Sequence, residues 1–449
     1  MRATSLRADR ADLIVIGAGL AGLITAAFVA RAGRKVVVLE RAGRPGGRAI
    51  TRVDGGIHFN LGPHALYCRG HAFRLLRELG ILFSGGFPDT RRAVLTDGRR
   101  AYRLPRGAGS ALASRLLTVR DKARFFRLFA MLPRLDARPF DRVTLREWIS
   151  ETAGHGNLAR LMGTLCRVGT YADDPEHLSA GAAIEQLKNT LAGGVWYLDG
   201  GWQVLIDGLR EYVTKHGVEL ATSARVVAVR GDAGGVAAIT ASGEERLGRT
   251  AVLAIDPEGA GDLLEMPDNS PLAMWTARSV PVRAACLDVA LNHLPRRDRR
   301  VAFGLDRPYY FSVHSASARL APDGVAVLHA MKYLGTEPDS PAEFDEAQLE
   351  AYLETLQPGW RGHVVTRRFL PAMTVAHNLP RADEGGLAGR PAVTVPGSPN
   401  VFLAGDWVGD QGLLADASAA SAAEAARHVI EALDSGPITS RGSVSHANV

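Results

Sequence analysis

Cysteine is scarce in this 449-residue chain, and its three residues, Cys68, Cys166 and Cys286, lie far apart. That spacing offers no disulfide framework, and without a C-x-x-C pair there is neither a dithiol relay nor a zinc ribbon, so no metal site is expected. Lysine is also scarce. Five of the 53 basic residues are lysine, which leaves 48 arginines. Alongside abundant alanine and glycine, this bias points to GC-rich coding rather than a nucleic-acid surface, and no zinc-finger spacing or basic arm supports such a partner. No apolar run follows the arginine-bearing start MRATSLRADRAD, so no secretory leader is read, and the apolar stretches are too short to span a bilayer. The expectation is a soluble, reduced, cytoplasmic protein.

What is present is a globular composition, 46% hydrophobic and 22% charged with a formal charge of +6. The length exceeds what one core holds, so two domains are expected. Residues 12–16, DLIVI, read as a strand buried on both faces, followed by an alanine-rich helix closed by Gly33 and a second buried strand at 35–40. Helical material with many arginines and aromatics fills roughly 108–190. Strand-like runs return at 218–255 and 280–330, a helix is expected at 343–356, and a strand–helix pair at 400–433. This alternation marks an α/β protein.

Gly17-Ala18-Gly19-Leu20-Ala21-Gly22 follows the first strand and opens the first helix. Gly17 permits the tight turn, Gly19 lets the backbone approach a pyrophosphate, and Gly22 allows close helix–strand packing. The helix N-terminus offers free N–H groups to phosphates. Glu40 ends the second strand, where a carboxylate accepts from ribose hydroxyls; Arg41 follows it. Strand, glycine turn, helix, strand and terminal acid together predict dinucleotide binding.

Arg44-Pro45-Gly46-Gly47-Arg48 then resembles the R-x-G-G-R sequel of the flavoprotein superfamily of amine oxidases and phytoene desaturases. Gly405-Asp406, with Trp407 and the run Leu413-Leu414-Ala415 before an alanine-rich helix, resembles that superfamily's C-terminal motif. Gly200-Gly201-Trp202 resembles its G-G-x-x-x-L stretch. The order GDW…GLLA is most similar to the phytoene-desaturase-like branch, although Asp416-Ala-Ser418-Ala-Ala-Ser421 departs from the G-A-x-x-S-G usual there. The resemblance implies FAD as cofactor. It places Gly46, Gly47 and Arg48 along the diphosphate, Gly62-Pro63-His64 beside the flavin ring, the Val226 backbone at adenine and Asp406 at the ribityl–phosphate portion. It also implies a Rossmann-type, glutathione-reductase-like FAD domain interleaved with an α+β substrate domain. Residues 10–85, 196–275 and 385–433 fall to the first, 86–195 and 276–384 to the second, and 1–9 and 434–449 to flexible tails.

The implied function is an FAD-dependent oxidoreductase that moves a hydride from an apolar or polyene-like small molecule, with the electron acceptor open. An amine or amino-acid oxidase is one alternative, although the strand expected to carry that class's lysine, SVPVRAACLDVAL, has Arg283 and no lysine. A non-redox flavin isomerase is another. A flavin-free prenyl-protein binder in the manner of Rab-escort proteins is disfavoured by retention of all three glycines, Glu40, Arg48 and Gly405-Asp406.

The catalytic candidates are His64, Arg283 and Trp407. His64 reads as a titrating group or a structural histidine of the cofactor loop, Arg283 as an acid anchor or a sheet-surface residue, and Trp407 as a ring-stacking or a packing residue. Asp416 reads as a helix-end cap. Tyr310, Ser312 and His314 alternate onto one strand face, either a pocket wall or a solvated surface. Finally, Thr118 and Asp121 open a basic amphipathic helix at 118–132, with Phe125, Phe129 and Leu132 on one side. It reads as a wall of the substrate domain or as a peripheral membrane contact.

Overall fold

The computed structural model describes residues 10–98, 100–232, 234–335 and 340–435. The two expected tails lie outside them, except that the last helix runs to Asp434. Two large sheets organise the chain. In the first, the parallel strands Glu219–Ala221, Val36–Leu39, Ala11–Ile16, Glu245–Leu253 and Ser398–Leu403 lie side by side in that order. Apart from Leu247 and Leu220, their valine, isoleucine and leucine side chains are buried on both faces, as a parallel sheet covered by helices requires. The helix Leu20–Arg31 joins the first two strands and packs along the terminal helix Leu414–Asp434. Thus residues near 20 and near 420 form one helical layer, and Thr25 Oγ1 reaches Ala422 O at 3.3 Å.

The second sheet has seven strands in the order Val364–Ala376, Val282–Leu291, Ala326–Leu334, Tyr309–Val313, Val301–Gly304, Val94–Asp97 and Arg100–Arg103. Its two faces have different tasks. Ala285, Leu287 and Val289 turn toward the helix Ala342–Leu356 through Leu349, Tyr352 and Leu353. Ala284, Cys286, Tyr310, Met331 and Tyr333 turn to a second core, shared with the helices Val119–Met131, Leu145–Ala153, Asn157–Thr170 and Ala180–Gly193. Strand alternation enforces this division. The strand-face reading of Tyr310, Ser312 and His314 needs a correction: the strand ends at Val313, His314 starts a short 3-10 turn, and all three side chains are buried rather than solvated.

The amphipathic helix spans Val119–Met131. Its capping box forms, with Thr118 accepting from Asp121 N and Asp121 accepting from Thr118 N. Phe125 and Leu128 are buried in the second core, and Phe125 stacks on Phe129 at 4.2 Å. Phe125 and Leu128 therefore make this helix a wall of the second core, while Val119 and Met131 stay exposed. No described helix is long and apolar enough to cross a membrane. Phe125→Ala is expected to lower the unfolding free energy by about 3–5 kcal/mol in urea titration, the cost of a large buried ring and its cavity. A loss below about 1 kcal/mol would show that this face is not core.

Candidate functional site

The glycine turn is built for close approach. Gly17 has φ +100°, and a Cβ there would stand 2.6 Å from Ala254 O; one at Gly22 would stand 1.9 Å from Gly17 O. By contrast, a Cβ on Gly19 would project into open space. The helix starting at Leu20, Ala21 and Gly22 has no side-chain cap and no acid in its first turn, so its N–H groups and positive dipole end remain for an anion. Glu40 accepts from Ala18 N at 2.7 Å and Ala42 N at 2.8 Å, which fixes its carboxylate at the end of the second strand. Ser223 N and Ala224 N bond to Ala42 O and Glu40 O, so the segment leading to Val226 runs beside this acid, whereas Arg41 is exposed. Gly46 N bonds to Ala18 O, and the Gly46-Gly47-Arg48 loop thereby lies against the glycine turn. The residues present fit a dinucleotide.

Arg48 joins segments far apart in the chain. Its Nη1 donates to Asp406 Oδ2 at 2.7 Å and to Val375 O at 2.8 Å, tying the first motif to the last. His377, missed in the sequence, completes the cluster: its backbone N and Nδ1 lie 3.1 and 2.9 Å from the Asp406 carboxylate. Burial alone would raise the Asp406 pKa, but Arg48 and His377 reverse this and hold it well below the usual carboxylate range. Arg390, also missed, is buried beneath, donating to Asp406 O and Gly412 O at 3.0 Å each; burial draws its pKa down to about 10. It shapes the turn before Leu413, Leu414 and Ala415, where Leu414 takes φ +56°.

Gly62-Pro63-His64 runs next to Arg48. His64 Nδ1 and Nε2 face Gly62 O and Arg48 O, both at 3.1 Å, and burial pulls its pKa down to about 4 despite those carbonyls. A neutral imidazole carries one N–H, so His64 donates to one of these two carbonyls, and either bond ties its ring to the cofactor loop. Arg283 is likewise corrected: by alternation it shares the face of Ala285 and Leu287, opposite Ala284 and Cys286. Trp407 packs wholly within the nucleotide-domain core, against Trp275, and donates to Ile255 O at 2.9 Å, so ring stacking in the site is ruled out. Asp416 does not cap its own helix. It accepts from Ala72 N at 2.9 Å, capping the helix His71–Glu78, and from Asn189 Nδ2 at 3.0 Å.

Beyond the loop, Tyr171, Met373, Val375 and Leu414 pack on the second core yet stay partly exposed, so they border the space beside the loop. Tyr171, in a left-handed conformation at φ 60°, donates to Pro63 O at 3.1 Å and meets Tyr333 edge-on at 6.1 Å.

A glycine turn on a parallel sheet, tied through Arg48 and Asp406 to a second, mostly antiparallel sheet, is the arrangement of a dinucleotide-binding protein. The chain belongs to the flavin containing amine oxidoreductase family, whose profile matches residues 20–286. FAD is the cofactor this family implies. One of the subunits of limonene dehydrogenase from Castellaniella defragrans is 35% identical over 123 residues, 26% of this chain and 22% of that protein. Phytoene dehydrogenase of Streptomyces griseus is 27% identical over 297 residues, 58% of this chain and 57% of the other. These matches span less than two-thirds of the relatives' lengths. Among solved structures, putrescine oxidase bound to putrescine superposes with a TM-score of 0.73 at 16% identity, covering 94% of this chain and 99% of that one. Cyclohexylamine oxidase from Brevibacterium oxydans gives 0.69 at 18% identity, covering 94% and 99%. At such identities these two show the fold.

Two outcomes follow. Asp406→Ala, which releases Arg48 and His377 together, is expected to weaken FAD binding by at least about tenfold, read by flavin fluorescence during titration; unchanged occupancy contradicts the assignment. For Asp416, burial raises the pKa from 3.8 to about 6, against the two hydrogen bonds. Folding therefore favours its protonated form, a contribution that is whole below pH ~4 and lost as pH rises through about 6. Asp416→Asn should gain stability over the parent with rising pH, approaching about 3 kcal/mol at pH 8. Urea unfolding at pH 4 and pH 8 checks this, and an equal effect at both values refutes it.

Proposed function

We propose that this chain is an FAD-dependent dehydrogenase or desaturase acting on an apolar, unsaturated small molecule, in the manner of the phytoene-desaturase-like branch. One observation carries this reading: the sheet face turned to the cofactor loop offers no charge with which to anchor an ionic substrate. Across the strands it presents Met373, Ala284 and Tyr333, then Leu370, Cys286, Met331, Tyr310 and Phe303. Its charged members, Asp288 and Arg368, are paired with each other. Lys332 lies on the other face, bound to Asp345 at 2.6 Å, and Lys188 is held by Leu135 O and Glu185. A carboxylate or ammonium entering such a wall would lose its hydration without a partner. Limonene and phytoene, for which two relatives are named, are both unsaturated hydrocarbons.

Bound FAD supplies a ring that accepts two electrons and a proton as hydride. The chain's part is to hold the substrate carbon against that ring and to exclude water: Tyr171 and Leu414 close the wall while His64 braces the loop. A second reading, oxidation of an uncharged amine, draws on Tyr333, whose buried hydroxyl has no hydrogen-bond partner among the described residues and is left to donate to a nitrogen lone pair without an ion anchor. Anaerobic bleaching of the flavin separates the two. A monoterpene or longer polyene hydrocarbon is expected to bleach it, whereas primary amines and amino acids leave the colour intact. Bleaching by an amine alone would overturn the proposal in favour of the second reading.

A further inference from the structure

Two strands of the substrate sheet each carry a polar residue in an apolar run, Asp288 in AACLDVAL and His329 in AVLHAM. The register sets them opposite one another, with Arg368 across from Asp288 on one side and Ser312 across from His329 on the other. A polar row therefore crosses four strands in the interior. Asp288 Oδ1 accepts from His329 Nδ1 at 2.5 Å and from Cys286 Sγ at 3.1 Å, and Oδ2 accepts from Arg368 Nε at 3.1 Å and from its Nη2. The same Nη2 donates to Asn60 O. Asn60 in turn uses its side-chain oxygen to accept from Trp202 N at 2.9 Å and Thr51 Oγ1 at 2.7 Å.

Cys286, Asp288 and His329 bring three metal-ligand atoms within 4.8 Å. The donor set nevertheless argues against an ion. A guanidinium already neutralises the carboxylate, the imidazole proton occupies the line between Nδ1 and Oδ1, and burial pushes the Cys286 thiol well above its usual pKa, away from the thiolate a metal needs. As a stabiliser of the sheet the row is also a poor choice, because a buried ion pair commonly gains nothing over apolar side chains of equal volume. What an apolar residue cannot do is donate to a backbone carbonyl. Arg368 does so at the residue where the cofactor loop begins.

We infer that Arg368, held by Asp288 and His329, is a positioning residue for FAD that anchors the rear of the Asn60–His64 loop, as Arg48 anchors its front. The parallel is specific. Asp406 holds Arg48 and takes His377 Nδ1, just as Asp288 holds Arg368 and takes His329 Nδ1. His64 bonds to the Arg48 carbonyl at one end of the loop, and Arg368 bonds to the Asn60 carbonyl at the other. Gly62 lies between, so close that a Cβ there would stand 2.5 Å from Met373 and 3.6 Å from Cys286. Loop and sheet thus meet without slack, and a shift of the row moves the loop.

The inference rests on the FAD assignment, and a parent protein that takes up no flavin would defeat that assignment instead. The test compares Asp288→Asn, Arg368→Gln, their double variant and Asp288→Glu as purified flavoproteins. Either single change is expected to raise the FAD dissociation constant about tenfold, the scale of one lost charge-assisted hydrogen bond, and to displace the visible flavin bands and the midpoint potential. The double variant should fall no further than the worse single one, and Asp288→Glu should recover part of the loss. His329→Gln keeps the ion pair and guards against failed folding; it should shift the bands in the same direction by less. If all variants fold less stably while FAD affinity, band positions and potential stay at parental values, the row serves only the sheet core and the inference is wrong. The same holds if His329→Gln, as the only folded variant, leaves the bands unmoved.

Discussion

Two buried carboxylates hold this molecule's halves in register. Asp406 lies at the end of the parallel sheet and Asp288 in the middle of the antiparallel one, and each is satisfied by an arginine and a histidine Nδ1. Removing a carboxylate from water is costly unless every lone pair finds a donor, so each acid dictates where its partners stand. Those partners come from far along the chain. Arg48 reaches Asp406 across 358 residues, and Arg368 reaches Asn60 across 308. The cofactor loop is stretched between these fixed points, and the space beside it takes its shape from the loop.

The same constraint explains the character of the substrate face. Its charges are committed to each other and to backbone, so what remains toward that space is hydroxyl, thioether, thiol and hydrocarbon. On the proposed reading, selectivity comes from shape and from tyrosine hydroxyls rather than from an ion anchor. Neighbours named for amines share the fold at 16–18% identity, which is compatible with different side chains at the same wall positions.

The nucleotide domain was legible because its signals are local. Gly17, Gly19, Gly22 and Glu40 fall within one strand–helix–strand unit, where spacing alone fixes geometry. Arg48 and Asp406 were visible as motifs, but their mutual pairing was not, since it depends on how two distant loops dock. Arg283 and Trp407 failed for different reasons. Which face of its strand Arg283 takes is set by the register with Leu334 and Thr374, and no neighbouring residue states that register. Trp407 follows a motif aspartate yet turns into a core made by Trp275, more than 130 positions earlier. Asp288 and His329 did carry a faint signal, a polar residue with apolar neighbours on both sides in each of two strands. It becomes meaningful only once those strands are known to be neighbours.

Strand order in the parallel sheet has a bearing on how the protein is made. The Ser398–Leu403 strand lies beside Glu245–Leu253, and the closing helix packs on the first one. A ribosome has therefore released almost all of the described chain before the glycine turn acquires its final neighbours. Until then the strand Glu245–Leu253 presents an unpaired apolar edge at Ala251–Leu253, the kind of surface that chaperones hold and that aggregates when crowded. The tie between Arg48 and Asp406 is consequently made only once residues near 406 have been synthesised, so the first motif waits unbraced through most of the chain's growth.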